Sequence, residues 1–87
     1  MASPLDPAAL VVSFVRAIVT HPDAVTVGTY EREADTVIEV RVSQKDLGKV
    51  IGANGRTARA LRILLVAMRQ NNLGQYFLDI DAHPDQL

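Results

Sequence analysis

The chain has no cysteine and no tryptophan among its 87 residues, and phenylalanine and tyrosine together make up only 5%. Without cysteine there is no disulfide framework and no thiolate zinc site, which suits a reducing compartment. The four aromatics, Phe14, Tyr30, Tyr76 and Phe77, are scattered. That spacing offers no stacking platform for nucleobases, and we place these rings in the core. No apolar run approaches the roughly 18 residues of a membrane span, because Arg62 and Arg69 interrupt the most aliphatic segment. The opening Met1-Ala2-Ser3-Pro4-Leu5-Asp6 lacks the positive region of a signal peptide, so the expectation is a cytoplasmic protein. Neither a nucleophile with its base nor a phosphate-binding Walker loop is present, so no catalytic residue, cofactor or metal is expected.

The formal net charge of −1 lacks the excess of one sign that marks a uniformly basic polyanion binder. Its distribution is uneven. Residues 45–69 carry Lys45, Lys49, Arg56, Arg59, Arg62 and Arg69 against Asp46 alone, a local balance of +5, and the remainder of the chain stands at −6. One attractive face on a self-repelling surface favours capture of a polyanion at a single site, although a basic helix face kept in solvent would look the same.

A chain of this length buries about 60–65% of its unfolded surface and supports one core. We read one domain over 1–87, folded from about 5 to 81 with a polar tail at 82–87. Asp6 before Pro7 is an N-cap followed by proline at the first helical position, and Leu10, Val11, Phe14, Val15 and Ile18 form one stripe, predicting a helix that ends near Val19. His21-Pro22-Asp23 stops it. Residues 25–33 and 36–42 are rich in β-branched side chains and read as two strands joined through Glu33-Ala34-Asp35, with Gly28 marking a bulge or a weak point of pairing. Ser43-Gln44-Lys45-Asp46 has the pattern of a reciprocal capping box and starts a short helix reaching about Val50. Gly52 to Gly55 breaks that helix. A longer one follows, with Ala58, Leu61, Leu65 and Met68 on its apolar face, ending near Asn71-Asn72-Leu73-Gly74. Tyr76, Leu78 and Ile80 alternate with Asp79 and Asp81 as a last strand.

Gly52 and Gly55 sit between the two helices, with Lys49 before them and Arg56 and Arg59 after. A helix-turn-helix that reads duplex DNA needs one permissive turn residue and a polar second helix, whereas here there are two glycines and a mostly aliphatic helix. A backbone clamp for phosphate fits better. Arg56 and Arg59 lie in the first turn of the long helix, where the macrodipole is already positive and cations cost a few tenths of a kcal/mol. An anion held there would turn that cost into attraction. His-Pro-Asp occurs at 21–23 and again at 83–85, but neither copy joins two helices as in the J-domain co-chaperones, so both read as turns. Asp79, Asp81, His83 and Asp85 alternate without a second ligand segment and read as a solvated edge and tail.

The stretch Val50-Ile51-Gly52-Ala53-Asn54-Gly55-Arg56-Thr57-Ala58-Arg59-Ala60-Leu61 resembles the I-G-x-x-G core of a KH domain, and the element order α-β-β-α-α-β resembles the type II arrangement. Over nearly its whole length the chain is similar to the small bacterial single-KH RNA-binding proteins of the KhpA (YlqC) family. The resemblance implies an α+β fold with a three-stranded sheet covered by three helices. It also implies non-catalytic binding of single-stranded RNA, with a role as RNA chaperone or post-transcriptional regulator. The family's clamp falls on Gly52, Ala53, Asn54 and Gly55, flanked by Lys49, Arg56 and Arg59. Its groove, about four nucleotides long, would be floored by Ile51 and one face of a strand carrying Ile38, Val40 and Val42, whose alternative place is the core. Family loops usually carry a basic residue between the glycines. Ala53 and Asn54 are neutral here, so contact is left to backbone amides and flanking cations. One groove binds weakly, so a homodimer or a complex with a second KH-containing protein is expected, through the helix bearing Ile63 and Val66 or through a strand edge. The alternative from another class is a KH-fold protein-interaction module with little RNA binding.

Overall fold

The computed structural model describes residues 6–68 and 74–84. Its order is α1 (Pro7–Ile18), β1 (Thr26–Arg32), β2 (Asp35–Val42), α2 (Leu47–Ile51), α3 (Arg56–Met68) and β3 (Tyr76–Ala82). Short 3₁₀ turns lie at Pro22–Ala24, Gln44–Asp46 and Ala53–Gly55. The expected helix end at Asn71-Asn72-Leu73, the opening residues and the last three residues of the chain lie outside the described residues.

α1 begins as its sequence dictates: the Asp6 carboxylate accepts from the Ala8 amide at 3.2 Å, and Pro7 follows at a position that needs no amide. β2 is the middle strand, antiparallel to β1 and parallel to β3. The parallel pairing requires a crossover, and α2 and α3 supply it. The three helices pack on the sheet face bearing Ile38, Val40 and Val42. These join Val11, Val15, Val25, Val50, Leu61, Leu65 and Leu78 in one core. Each buried leucine of such a core contributes about 2–3 kcal/mol by removal from water. The pairing of β1 with β2 is unbroken from Thr26↔Arg41 to Arg32↔Asp35, so Gly28 makes no bulge. The turn is tighter than expected, with only Glu33 and Ala34 between the strands and Glu33 at φ 58°.

Three further expectations are corrected. The capping box is half formed. Ser43 Oγ accepts from the Lys45 amide at 3.3 Å, but the Asp46 carboxylate turns inward instead of back to Ser43. Only 1% exposed, it accepts from the Thr20 amide (3.0 Å), the Thr20 hydroxyl (2.7 Å) and the His21 amide (3.0 Å), fastening the start of α2 to the end of α1. Burial alone would raise its pKa; the bonds from Thr20 and His21 outweigh that and hold it at about 2.

The aromatics are also mostly outside the core. Phe14, Tyr30 and Phe77 are exposed, and Tyr76 alone packs against the core, half-buried. Tyr30 and Phe77 flank the buried Val37 on the sheet face that no described helix covers, and the Arg32 guanidinium lies 5.8 Å from the Phe77 ring centre. Finally, the ordered chain passes the expected tail boundary. β3 continues through Ala82, and His83 donates its amide to Val42 O at 2.9 Å and its ring Nε2–H to Ala24 O at 2.8 Å. Gln44 Nε2 donates to His83 O at 2.9 Å, completing that anchor.

Candidate nucleic-acid interface

The turn between α2 and α3 is built by backbone conformations that few residues other than glycine adopt. α2 closes where the Gly52 amide donates to Gly48 O at 2.9 Å, and Gly52 then takes φ 84°, ψ 166°. That region is essentially restricted to glycine. A Cβ there would also collide with Thr57 Oγ1 and come within 2.8 Å of the Thr57 nitrogen. Asn54 follows in the left-handed region at φ 56°, ψ 27°, which asparagine tolerates, and Gly55 takes φ 73°. A Cβ on Gly55 would meet nothing within 4 Å. The front of the turn is therefore open, and its back, at Gly52, is packed.

The Gly55 amide donates to Gly52 O at 3.0 Å and the Arg56 amide to Ala53 O. Among the described residues, the amides of Ala53 and Asn54 have no partner. Two free N–H groups thus stand just before the N-terminus of the 13-residue α3, where the helix field favours negative charge. Lys49, Ala53, Asn54, Arg56 and Arg59 are exposed, and Ile51 beside them is 36% exposed. Among the described residues, Lys49, Arg56 and Arg59 form no ion pair, whereas Arg41 lies 3.9 Å from the Glu39 carboxylate. With Asp46 turned inward, the only carboxylate of the basic segment is withdrawn from this surface. Arg62 is committed elsewhere, donating to Leu78 O at 3.0 Å and tying α3 to β3.

The structure therefore brings together Lys49, Ile51, Gly52, Ala53, Asn54, Gly55, Arg56 and Arg59. Ile38 and Val40 do not join them. They are 1% and 0% exposed and lie in the core. Ile38 also borders a hollow of about 220 Å³ that is lined by Pro7, Thr29, Thr36 and Tyr76 and by no residue of the glycine turn. Their placement follows from the period of two: a strand in a three-stranded sheet with helices on one face buries the alternating aliphatic set against those helices. Among the described residues no group of three metal-ligating side chains converges, and no described helix is long and apolar enough to cross a membrane.

The family described as "KhpA/KhpB, KH domain" matches residues 8–80. Among individual relatives, "RNA-binding protein KhpA" of Streptomyces coelicolor is 46% identical over 67 residues, covering 77% of this chain and 85% of its own length. The protein of the same name from Treponema pallidum is 42% identical over 71 residues, covering 82% and 89% respectively. Among solved structures, the backbone resembles part of Era in its complex with MgGDPNP and nucleotides 1506-1542 of 16S ribosomal RNA. There the TM-score is 0.56 at 19% identity, covering 98% of this chain and 37% of that one, a likeness of fold alone. With the glycine turn, the α-β-β-α-α-β order and a match across most of its length, this chain belongs to the KhpA/KhpB KH-domain family.

Proposed function

We propose that this chain binds single-stranded RNA without catalysis, gripping the phosphate backbone at Gly52, Ala53, Asn54 and Gly55. One observation carries the reading: among the described residues, the amides of Ala53 and Asn54 have no partner and stand at the start of a helix whose first turn holds Arg56 and Arg59, which form no ion pair there. Such an arrangement is unfavourable for an empty helix start and favourable for one that holds an anion. Lys49 adds a third cation, and Ile51 offers an apolar surface for an unstacked base. The relatives' name, "RNA-binding protein KhpA", supports the same ligand class. The cellular role that follows is that of an RNA chaperone or post-transcriptional regulator in the cytoplasm. One clamp engages a short stretch of strand, so the working particle is a pair, formed by two copies or by this chain with a second KH-containing protein.

The test is the double substitution Ala53→Asp, Asn54→Asp, which sets two negative charges against the phosphate. Aspartate also tolerates the left-handed conformation of residue 54 and interacts well with a helix start, so the melting temperature should hold or rise slightly. Affinity for an unpaired RNA oligomer, read by fluorescence anisotropy, should fall at least tenfold. Wild-type affinity in the double mutant would exclude this turn as the site. A second reading, a protein-interaction module, is favoured by Ile63 and Val66, which are 63% and 62% exposed on α3. It predicts that Ile63→Lys abolishes partner capture while RNA affinity was negligible from the start.

A further inference from the structure

On the sheet face that no described helix covers, side chains fall into rows set by the strand register. Tyr30, Val37 and Phe77 stand side by side across the three strands, and Gly28, Glu39 and Asp79 form the next row. Rows lie about 6.8 Å apart and neighbouring strands about 4.8 Å. Two features of the second row work against the stability of the sheet. Glu39 and Asp79 are register partners, so two carboxylates are held side by side, and like charges so placed are unfavourable. Arg41 approaches Glu39 only to 3.9 Å, and among the described residues Asp79 forms no ion pair. Gly28 lies mid-strand in unbroken pairing and without a positive φ, so the backbone there does not require glycine and a β-branched residue would suit it better. A Cβ at this position would meet nothing within 4 Å. The glycine therefore leaves a notch bordered by Tyr30 and Glu39.

We propose that this open face docks an arginine-bearing segment of a partner protein, with one guanidinium seated in the notch over Gly28, against the Tyr30 ring and beside the carboxylates of Glu39 and Asp79. A cation there converts the repulsion between the two carboxylates into attraction for a shared partner, and the missing side chain at Gly28 gives it room. The face already holds one such contact within the chain, the Arg32 guanidinium over the Phe77 ring. Tyr30 and Phe77 are 46% and 40% exposed, so ring surface remains for a second. Charge decides between occupants. Arg32 and Arg41 stand here against the carboxylates of Asp35, Glu39, Asp79 and Asp81, an excess that repels phosphate and disfavours stacked RNA. A second copy applied to this face would bring the same excess against it. Arginine suits the site better than lysine, because a planar guanidinium stacks on a ring and pairs with carboxylates through two bonds at once. The helices that carry the glycine turn lie on the other side of the sheet, so this dock is separate from the RNA clamp and does not depend on it.

The test follows the backbone amide resonances of the full, isotope-labelled chain without RNA as acetylated hexa-arginine is added. Saturable shifts should gather at Gly28, Tyr30, Glu39 and Asp79, and hexa-lysine of the same charge should bind about fivefold more weakly. Gly28→Val fills the notch and Asp79→Asn removes one carboxylate. Each should weaken hexa-arginine binding by about threefold or more while the melting temperature stays level or rises, since the one adds strand propensity and the other relieves a like-charge pair. Shifts centred on other elements, equal binding of hexa-lysine, or wild-type affinity in both variants would overturn the proposal. So would any of three controls. Movement of the same amides by hexauridylate would make the face a nucleic-acid surface, and movement on raising the protein concentration alone would assign it to a second copy. Free arginine binding as tightly as the peptide would make it a small-molecule site.

Discussion

Gly52 and Gly55 both have positive φ, yet substitution should cost them unequally. At Gly52 an alanine meets a glycine-only conformation and the side chain and backbone of Thr57 together, for which we expect a loss of about 3 kcal/mol or more. At Gly55 it meets a positive φ of 73° but open space, for a smaller loss of about 1–2 kcal/mol. Urea unfolding of the two alanine variants should therefore separate their midpoints clearly, with Gly52→Ala the lower. Equal losses would mean that Thr57 moves aside freely. RNA affinity should order differently, since the Cβ of Gly55→Ala projects into the open front where phosphate is proposed to sit, and Gly55→Ala should weaken binding despite its milder effect on folding. At this scale the sequence was readable in part. Two glycines three apart announce a turn, but nothing in their spacing says that one is closed in by Thr57 and the other open.

The element that decides the charge question is α3. Its first turn carries Arg56 and no acid, so removing that cation should not destabilise the fold; Arg56→Ala should leave the melting temperature level or slightly raised. Binding of unpaired RNA should weaken as salt rises, with a log-log slope of about −0.7 per phosphate contacted, and the alanine variant should have the shallower slope. An unchanged slope would place Arg56 away from the strand. The apolar stripe of α3 could be read from its period, because Ala58, Leu61 and Leu65 are buried where a 3.6-residue repeat puts them. The end of β2 at Val42 and the break at Gly52 were legible in the same way, whereas α2 begins at Leu47, after a 3₁₀ turn at Gln44–Asp46. Two elements were misread for one physical reason, that local pattern does not reveal distant partners. The Ser43-x-x-Asp46 pattern announces a reciprocal cap, but the carboxylate finds three donors 25 and 26 residues away in Thr20 and His21. Alternation along β1 and β3 shows two faces without showing that the one bearing Tyr30 and Phe77 has no described helix over it.

For the molecule as a whole, Asp46 is the group that couples its parts to pH. Its folded pKa of about 2 lies below the ordinary 3.8, so its stabilisation is fully present above the ordinary value and is lost as pH falls through about 2. Stability measured by urea at a series of pH values should accordingly decline between about pH 4 and 2, and Asp46→Asn should flatten that decline while lowering stability at neutral pH. An identical acid limb in the variant would assign the decline to other carboxylates. The parallel pairing of β2 with β3 has a consequence for the order of events in folding. β1 and β2 are joined by two residues and can form a hairpin within microseconds, whereas β3 can dock only after the whole α2–α3 crossover has been laid over the sheet. As the chain leaves the ribosome N-terminus first, β2 emerges with one edge paired and the other bare, and its run of Val37, Ile38, Val40 and Val42 stays without its last strand until residues 76–82 arrive. That interval, more than anything in the finished fold, is when this chain is exposed to wrong pairing, and it closes only once β3 has been made.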